Sequence, residues 1–203
     1  RPLDRAAQFS GPYPSGAPAI FASAAARLGA PVGFVGTVGD DAFGDCIFNR
    51  LQTDGIDCSA VAHRDDRLTG IAFVAYRSDG SRSFVFHLPQ SAAARVSPSQ
   101  MPPGYLAGTC FLHVMGSSLS ISESMRQTCY GTARQIQAQG GMVSLDPNPR
   151  PELMPETQIR EVCEAILDIA TIVFPSGEEL VALTGASTPL AGARQLLARG
   201  VSL

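Results

Sequence analysis

Ser15-Gly16-Ala17-Pro18-Ala19-Ile20-Phe21-Ala22 opens the stretch that decides the fold. Arg27-Leu28-Gly29 follows, and then Thr37-Val38-Gly39-Asp40-Asp41-Ala42-Phe43-Gly44. Small residues and a proline lead into an Ala-rich, turn-free run. That run predicts a tightly packed helix over 22–28, ended by Gly29. Backbone N–H groups at such a helix start are open to a polar ligand, and the segment equally suits a helix start with packing glycines. Residues 32–35 are a short apolar run and predict a buried strand. Residues 42–54 predict a helix, with Phe43, Cys46, Ile47 and Leu51 on one face and Gly55 at its end. Asp40 and Asp41 are neighbours, which rarely converge on one site, so they read as a loop and helix cap.

Working outward, residues 71–76 and 83–87 are rich in β-branched and aromatic residues. Arg77-Ser78-Asp79-Gly80-Ser81 lies between them. Asp-Gly is a turn signal, so the segment predicts a β-hairpin inserted among helices and strands. After residue 100 strands alternate with helices. Strands are expected over 111–115, 142–145 and 171–174. Helices are expected over 122–139, 156–170, 176–183 and 190–198. Such alternation implies right-handed crossovers and a parallel sheet. Ligands of these sheets bind beyond the carboxyl ends of the strands. The segments to inspect there are Gly39-Asp40-Asp41, Gly116-Ser117-Ser118, 146–150 and 175–179.

Composition removes several function classes. Of the 203 residues 45% are hydrophobic and 16% charged, enough apolar content for a real core. The formal net charge is −3 and no basic block occurs, so a nucleic-acid partner is not expected. Cys46, Cys58, Cys110, Cys129 and Cys163 are scattered, odd in number and without a CxxC, and the three histidines are scattered too. They read as reduced thiols of a cytoplasmic protein, not a disulfide framework or zinc site. No apolar run reaches membrane-spanning length. Residues 1–5 are charged and lack a following apolar stretch, which argues against a signal peptide. Both ends look cut, the last three residues falling within an expected strand.

The opening stretch resembles the first signature of the ribokinase/PfkB sugar kinases. That signature is a Gly-Gly-Ala-Pro-Ala-Asn segment, a helix ending in Leu-Gly, and Val-Gly-Asp-Asp-x-Phe-Gly. The spacing from Gly16 to Gly29 to Gly39 fits it. Ser15 stands for the first glycine and Ile20 for the sugar-binding asparagine. Ile cannot hydrogen-bond a hydroxyl, so the sugar contacts here must differ. Asp146-Pro147-Asn148-Pro149-Arg150 resembles the Asp-x-Asn-x-Arg segment of the fructokinase and keto-deoxy-gluconate kinase branch. Phe174-Pro175-Ser176-Gly177-Glu178-Glu179 resembles the Asn-x-x-Glu segment, with Ser176 replacing the asparagine.

The resemblance covers essentially the whole chain. It implies a ribokinase-like α/β fold, a three-layer Rossmann-like sheet with a small β-lid at about 69–88, incomplete at both ends. It also implies ATP and Mg²⁺ as cofactors and a ketohexose or related monosaccharide, in a tagatose- or fructose-type kinase, phosphorylated at a primary hydroxyl. Leu88 replaces an arginine of keto-deoxy-gluconate kinases, which favours a neutral sugar. Implied substrate contacts are Ser15, Gly16, Ala17, Ile20, Phe86 and His87, with Asn148 and Arg150 (an Arg at a strand end suits bidentate phosphate contact). Gly116-Ser117-Ser118 is a weaker candidate for the sugar pocket. Ser176 and Glu179 are the implied cofactor contacts, Glu179 reaching the metal through water. Ser176 and Glu179 also fit a helix capping box, and both roles can coexist. The family's catalytic aspartate belongs to a Gly-Ala-Gly-Asp segment that is expected beyond Leu203, so no catalytic base is named.

A homodimer through the lid is expected by the same resemblance. A competing reading is an inactive homologue that binds a sugar or nucleotide. An NAD-binding Rossmann domain would need Gly-x-Gly-x-x-Gly after the first strand, and no such context occurs.

Overall fold

A computed structural model describes residue 6, residues 8–77 and residues 79–202. Residues 1–5, Ser78 of the expected hairpin turn and Leu203 of the expected last strand lie outside the described residues. The chain forms two compact units, one ending at Val96 and the other starting at Ser97.

In the first unit, helix α1 (Ala17–Arg27) starts five residues earlier than its Ala-rich run suggests. Pro18 in the first turn is the reason: its fixed φ suits a helix start and its missing N–H is not needed there. Gly29, at φ +91°, stands just past its end. Strand β1 is Gly36–Gly39, not 32–35 as expected. All four of its residues are buried. It pairs in parallel with β2 (Val61–Arg64), Gly36 opposite Val61 and Gly39 opposite Arg64. Gly33 makes only an isolated bridge to Asp57.

Between these strands runs α2 (Ala42–Thr53), which packs Leu51 against Ala19, Ala22 and Ile56. The hairpin is as expected: β3 (Ile71–Tyr76) runs antiparallel to β4 (Arg82–His87), with Phe73 opposite Val85 and Val74 opposite Phe84. A 3₁₀ turn over Ala92–Arg95 closes the unit.

The second unit holds a three-stranded parallel sheet, ordered β5 (Phe111–Met115), β6 (Met142–Asp146), β7 (Ile172–Val173). Ser202 bridges Ile172 in parallel. After β5 come α3 (Gly116–Leu119) and α4 (Glu123–Ala138). Helix α5 (Glu156–Leu167) joins β6 to β7, and α6 (Gly177–Thr184) and α7 (Pro189–Ala198) follow. Helices α4 and α5 and strand β7 are shorter than their sequence runs. Polar caps and the Pro175 turn cut the runs off, and periodicity does not see either.

The central strand shows why this is a parallel sheet. Val143, Ser144 and Leu145 are fully buried, so both faces of β6 are covered. Ile136, Ile159, Cys163, Ile166 and Val173 pack with them as the core. Tyr130 ties α4 to α5 by donating its hydroxyl to the Val162 carbonyl at 2.6 Å.

Candidate functional site

In the first unit the site is a loop entering a helix. Gly16 is the N-cap of α1 at φ +101°, a conformation costly for any residue with a Cβ. No side chain caps the helix there, so its first amides keep their donors for a polar ligand. Ser15 and Gly16 are exposed, Ala17 is half-buried, and Ile20 leaves 57% of its surface open.

The same unit holds a carboxylate clasp. The Asp41 side chain caps α2 by accepting from the Phe43 and Gly44 amides at 3.0 and 2.9 Å. Its second oxygen accepts the Thr69 amide at 2.8 Å, and the Thr69 hydroxyl accepts the Gly39 amide at 2.9 Å. A Cβ at Gly39 would collide with Arg67 and Thr69 backbone. The Gly-Asp-Asp-x-Phe-Gly signature is thus a structural knot that fastens β1 and α2 to the root of the hairpin. Burial opposes the charge on Asp41, but hydrogen bonds from Thr69, Gly44 and Phe43 hold its pKa below the usual value.

Phe86 and His87 follow one another in β4 and therefore point to opposite faces of the hairpin. Phe86 stacks on Phe84, with centroids 5.3 Å apart and Arg82 over the Phe84 ring. His87 lies 6.4 Å from Phe73, whose other neighbour is Phe9. A ligand against one face meets one of the two expected contacts, not both.

In the second unit the carboxyl ends of β5, β6 and β7 gather the other candidates. Met115 and Asp146 are paired across the sheet, and Leu145 is opposite Val173. Gly116 is forced here, because an added Cβ would overlap the Pro147 carbonyl. Asn148 has φ +35°, the one positive value among the described non-glycine residues. Its side-chain amide points at the Met115 sulfur, 4.0 Å away. Arg150 donates through Nη1 to the Pro149 carbonyl at 3.0 Å. Glu179 accepts both the amide and the hydroxyl of Ser176 through Oε2, at 2.7 and 2.8 Å. The capping-box role of this pair is therefore realised.

Asp146 opens the Asp-x-Asn-x-Arg segment but is not among the contacts expected from the sequence. Burial raises its pKa first and the charge of Glu179 raises it further, while the Asn148 backbone and Arg150 pull it down. It therefore senses Glu179 and Arg150 together. An acid ending a fully buried parallel strand was the available signal. Gly116-Ser117-Ser118 forms the start of α3, with Ser118 buried. Among the described residues no group of His, Cys, Asp and Glu forms a metal cage, and no helix is long and apolar enough to cross a membrane.

Comparison with known proteins places this geometry. The family model described as pfkB family carbohydrate kinase matches residues 6–202. A fructokinase of Klebsiella pneumoniae is 35% identical over 187 residues, which is 92% of this chain and 60% of that protein. An E. coli protein provisionally named ribokinase II superposes with a TM-score of 0.89 at 36% identity, over 99% of this chain and 64% of its own. The same E. coli protein has been solved with ATP and Mg²⁺. The chain thus spans less than two thirds of the length of these relatives. The expected ribokinase-like α/β class holds.

Proposed function

The chain belongs to the pfkB family of carbohydrate kinases, and from that premise we propose ATP-dependent phosphorylation of a monosaccharide at a primary hydroxyl as the activity of the protein that carries it. The observation that carries the reading is that Asn148 and Arg150 follow the carboxyl end of β6 while Ser176 and Glu179 follow that of its parallel neighbour β7, together with 35% identity to a fructokinase. A ketohexose or related sugar is the substrate class, and the whole chain serves as one kinase domain with the hairpin as lid.

Phosphoryl transfer is mostly positioning and charge stabilisation. Ser15, Gly16 and Ala17 offer amides and a hydroxyl to the sugar at the start of α1. Arg150 supplies planar N–H pairs for phosphate oxygens, and Asn148 adds a neutral donor. Phe86 or His87 closes over the sugar and excludes water, which would otherwise accept the phosphoryl group. ATP supplies the transferred group, and Mg²⁺ neutralises its phosphate charge.

The residues present fit that metal. Oε2 of Glu179 is committed to Ser176, while Oε1 accepts no hydrogen bond among the described residues. One such oxygen is enough to hold a water of the Mg²⁺ shell. The half-buried Asp146 adds negative potential beside Glu179, and a cation held there would lower the cost of ionising it.

An ADP-release assay on a panel of ketoses, with and without Mg²⁺, tests the proposal. Sugar-dependent ADP release supports it. Sugar or nucleotide binding without turnover, in a protein that includes the relatives' full length, would favour an inactive binding homologue instead.

A further inference from the structure

We propose that the cleft between α1 and α2 is a binding site of its own, for a compact organic monocarboxylate with an apolar body, held by the Nη groups of Arg27 and Arg50. It stands apart from the kinase reading and from the sugar contacts assigned to the start of α1. The cleft has a volume of about 290 Å³, close to the lower end of small-ligand sites. Pro14, Ile20, Ala24 and Ile47 give it a hydrocarbon side. Arg27 and Arg50 line it too, and among the described residues no acid does.

The two guanidiniums are drawn together by Asp54. Each donates its Nε–H to one oxygen of that carboxylate, at 2.8 and 2.6 Å, and Ser23 hydrogen-bonds it as well. The Asp54 side chain keeps 5% of its surface exposed, against 57% for Arg27 and 35% for Arg50. The acid is therefore spent on the arginines and the arginines are not spent on the acid. Their Nη groups donate no hydrogen bond among the described residues. A pair of long side chains fixed in this way has lost much of its freedom before a ligand arrives, so less is lost on binding.

Charge decides which anion fits. Two cations on one carboxylate leave a single positive charge, which a monocarboxylate neutralises. A dianion would leave negative charge beside Asp54 and at the last turns of two helices, where the dipoles already disfavour anions. A planar carboxylate also matches the guanidinium fork. Arg27 follows Ile20 by seven residues, about 10 Å along α1. The carboxylate thus sits at the arginine end, and an apolar body lies along Ala24 toward Ile20 and Ile47. Burying that body adds about tenfold or more in affinity over a bare anion.

The test titrates the full protein by calorimetry, before sugar or nucleotide is added. Benzoate carries both features, acetate lacks the body and benzyl alcohol lacks the charge. We expect one benzoate per chain with a dissociation constant of about 0.1–1 mM, a range open to so small a ligand. Acetate and benzyl alcohol should bind at least about tenfold more weakly. Saturating benzoate should raise the melting temperature by about 2–5 °C. Arg27→Gln should weaken benzoate about tenfold, and Ala24→Phe should abolish binding by filling the cleft. Excess fructose should leave benzoate in place.

No saturable benzoate binding below about 10 mM, acetate binding as tightly as benzoate, or an affinity that both variants leave unchanged overturns the inference. Displacement of benzoate by fructose assigns it to the sugar site and overturns it too. ADP release bears on the kinase reading alone. Should Arg27→Gln fail to fold, Ala24→Phe decides, because Ala24 is exposed on the helix surface.

Discussion

Single side chains here divide between holding the fold and serving the site, and Asp41 belongs to the first group. It satisfies two amides of α2 and one of Thr69. Replacing an N-cap acid by Ala costs about 0.5–2 kcal/mol, and the half-buried Thr69 amide adds a lost bond of about 1 kcal/mol. Asp41→Ala should therefore lower stability by about 2–3 kcal/mol in urea unfolding, with Asp41→Asn recovering part of it.

His113 is a titration device of the fold. Its Nδ1 lies 2.8 Å from the Ser144 hydroxyl, and burial pushes its pKa down to about 4. The folded state thus binds the proton less well than the unfolded chain, whose value is near 6.5. Stability from the neutral ring is complete above pH 6.5 and is lost as pH falls toward 4. Unfolding curves across that window should show the decline in wild type and a flatter response in His113→Asn.

Asp146 has the opposite sign. Its raised pKa marks an ionised form that folding penalises at neutral pH. Asp146→Asn should raise the melting temperature at pH 7 and weaken Mg²⁺-dependent nucleotide binding. A drop in melting temperature would mark it as structural.

At the scale of elements, joints matter more than segments. The last turns of α1 and α2 are fastened by Asp54, which receives Arg27, Arg50 and Ser23. Those partners hold its pKa to about 2. The clamp is intact above the ordinary carboxylate pKa near 3.8 and fails as pH falls toward 2. Asp54→Ala should lower the melting temperature at neutral pH, and that deficit should shrink toward pH 2 as the wild type loses the same contacts.

A second joint is Gly116 against the Pro147 carbonyl. Gly116→Ala inserts a methyl where backbone already sits, so a cost of about 1–3 kcal/mol is expected. The segment that would yield is 146–150, so Arg150-dependent nucleotide affinity should fall as well. Equilibrium unfolding and nucleotide titration together check this.

At the scale of the whole molecule, the described residues form two compact units with separate cores. The kinase proposal assigns sugar contacts to the first unit, and to the second the substrate and phosphate contacts of Asn148 and Arg150 with the metal contact of Glu179. Arg150→Ala should therefore weaken nucleotide binding about ten- to a hundredfold, the loss of a charge-assisted contact of roughly 1.5–3 kcal/mol, with the urea midpoint unchanged. Calorimetry beside urea unfolding separates the two effects.

Element type was legible wherever local pattern and burial agree. The hairpin followed from Asp79-Gly80 between β-branched runs, and β5, α4 and β6 from strict changes of period, because those signals are local physics. The first signature was legible too, since the Gly16, Gly29 and Gly39 spacing is a property of residues in order.

Strand β1 was not legible. Apolarity marked 32–35, yet the ladder formed over Gly36–Gly39, where β2 pairs and where Cβ-free backbone fits against Phe34, Arg67 and Thr69. Pairing partners and close approach are tertiary facts, and they outweigh strand propensity. The division of labour among acids was equally hidden. Asp41, Asp54, Asp146 and Glu179 are one residue class in sequence, and only folding makes one a knot, one a clamp, one a half-buried charge and one a capping partner. Sequence order determined the family and the sugar-kinase fold. Tertiary structure decided which carboxylates bind the protein to itself and which are left for a ligand, because a charge's role depends on what burial and neighbours do to it.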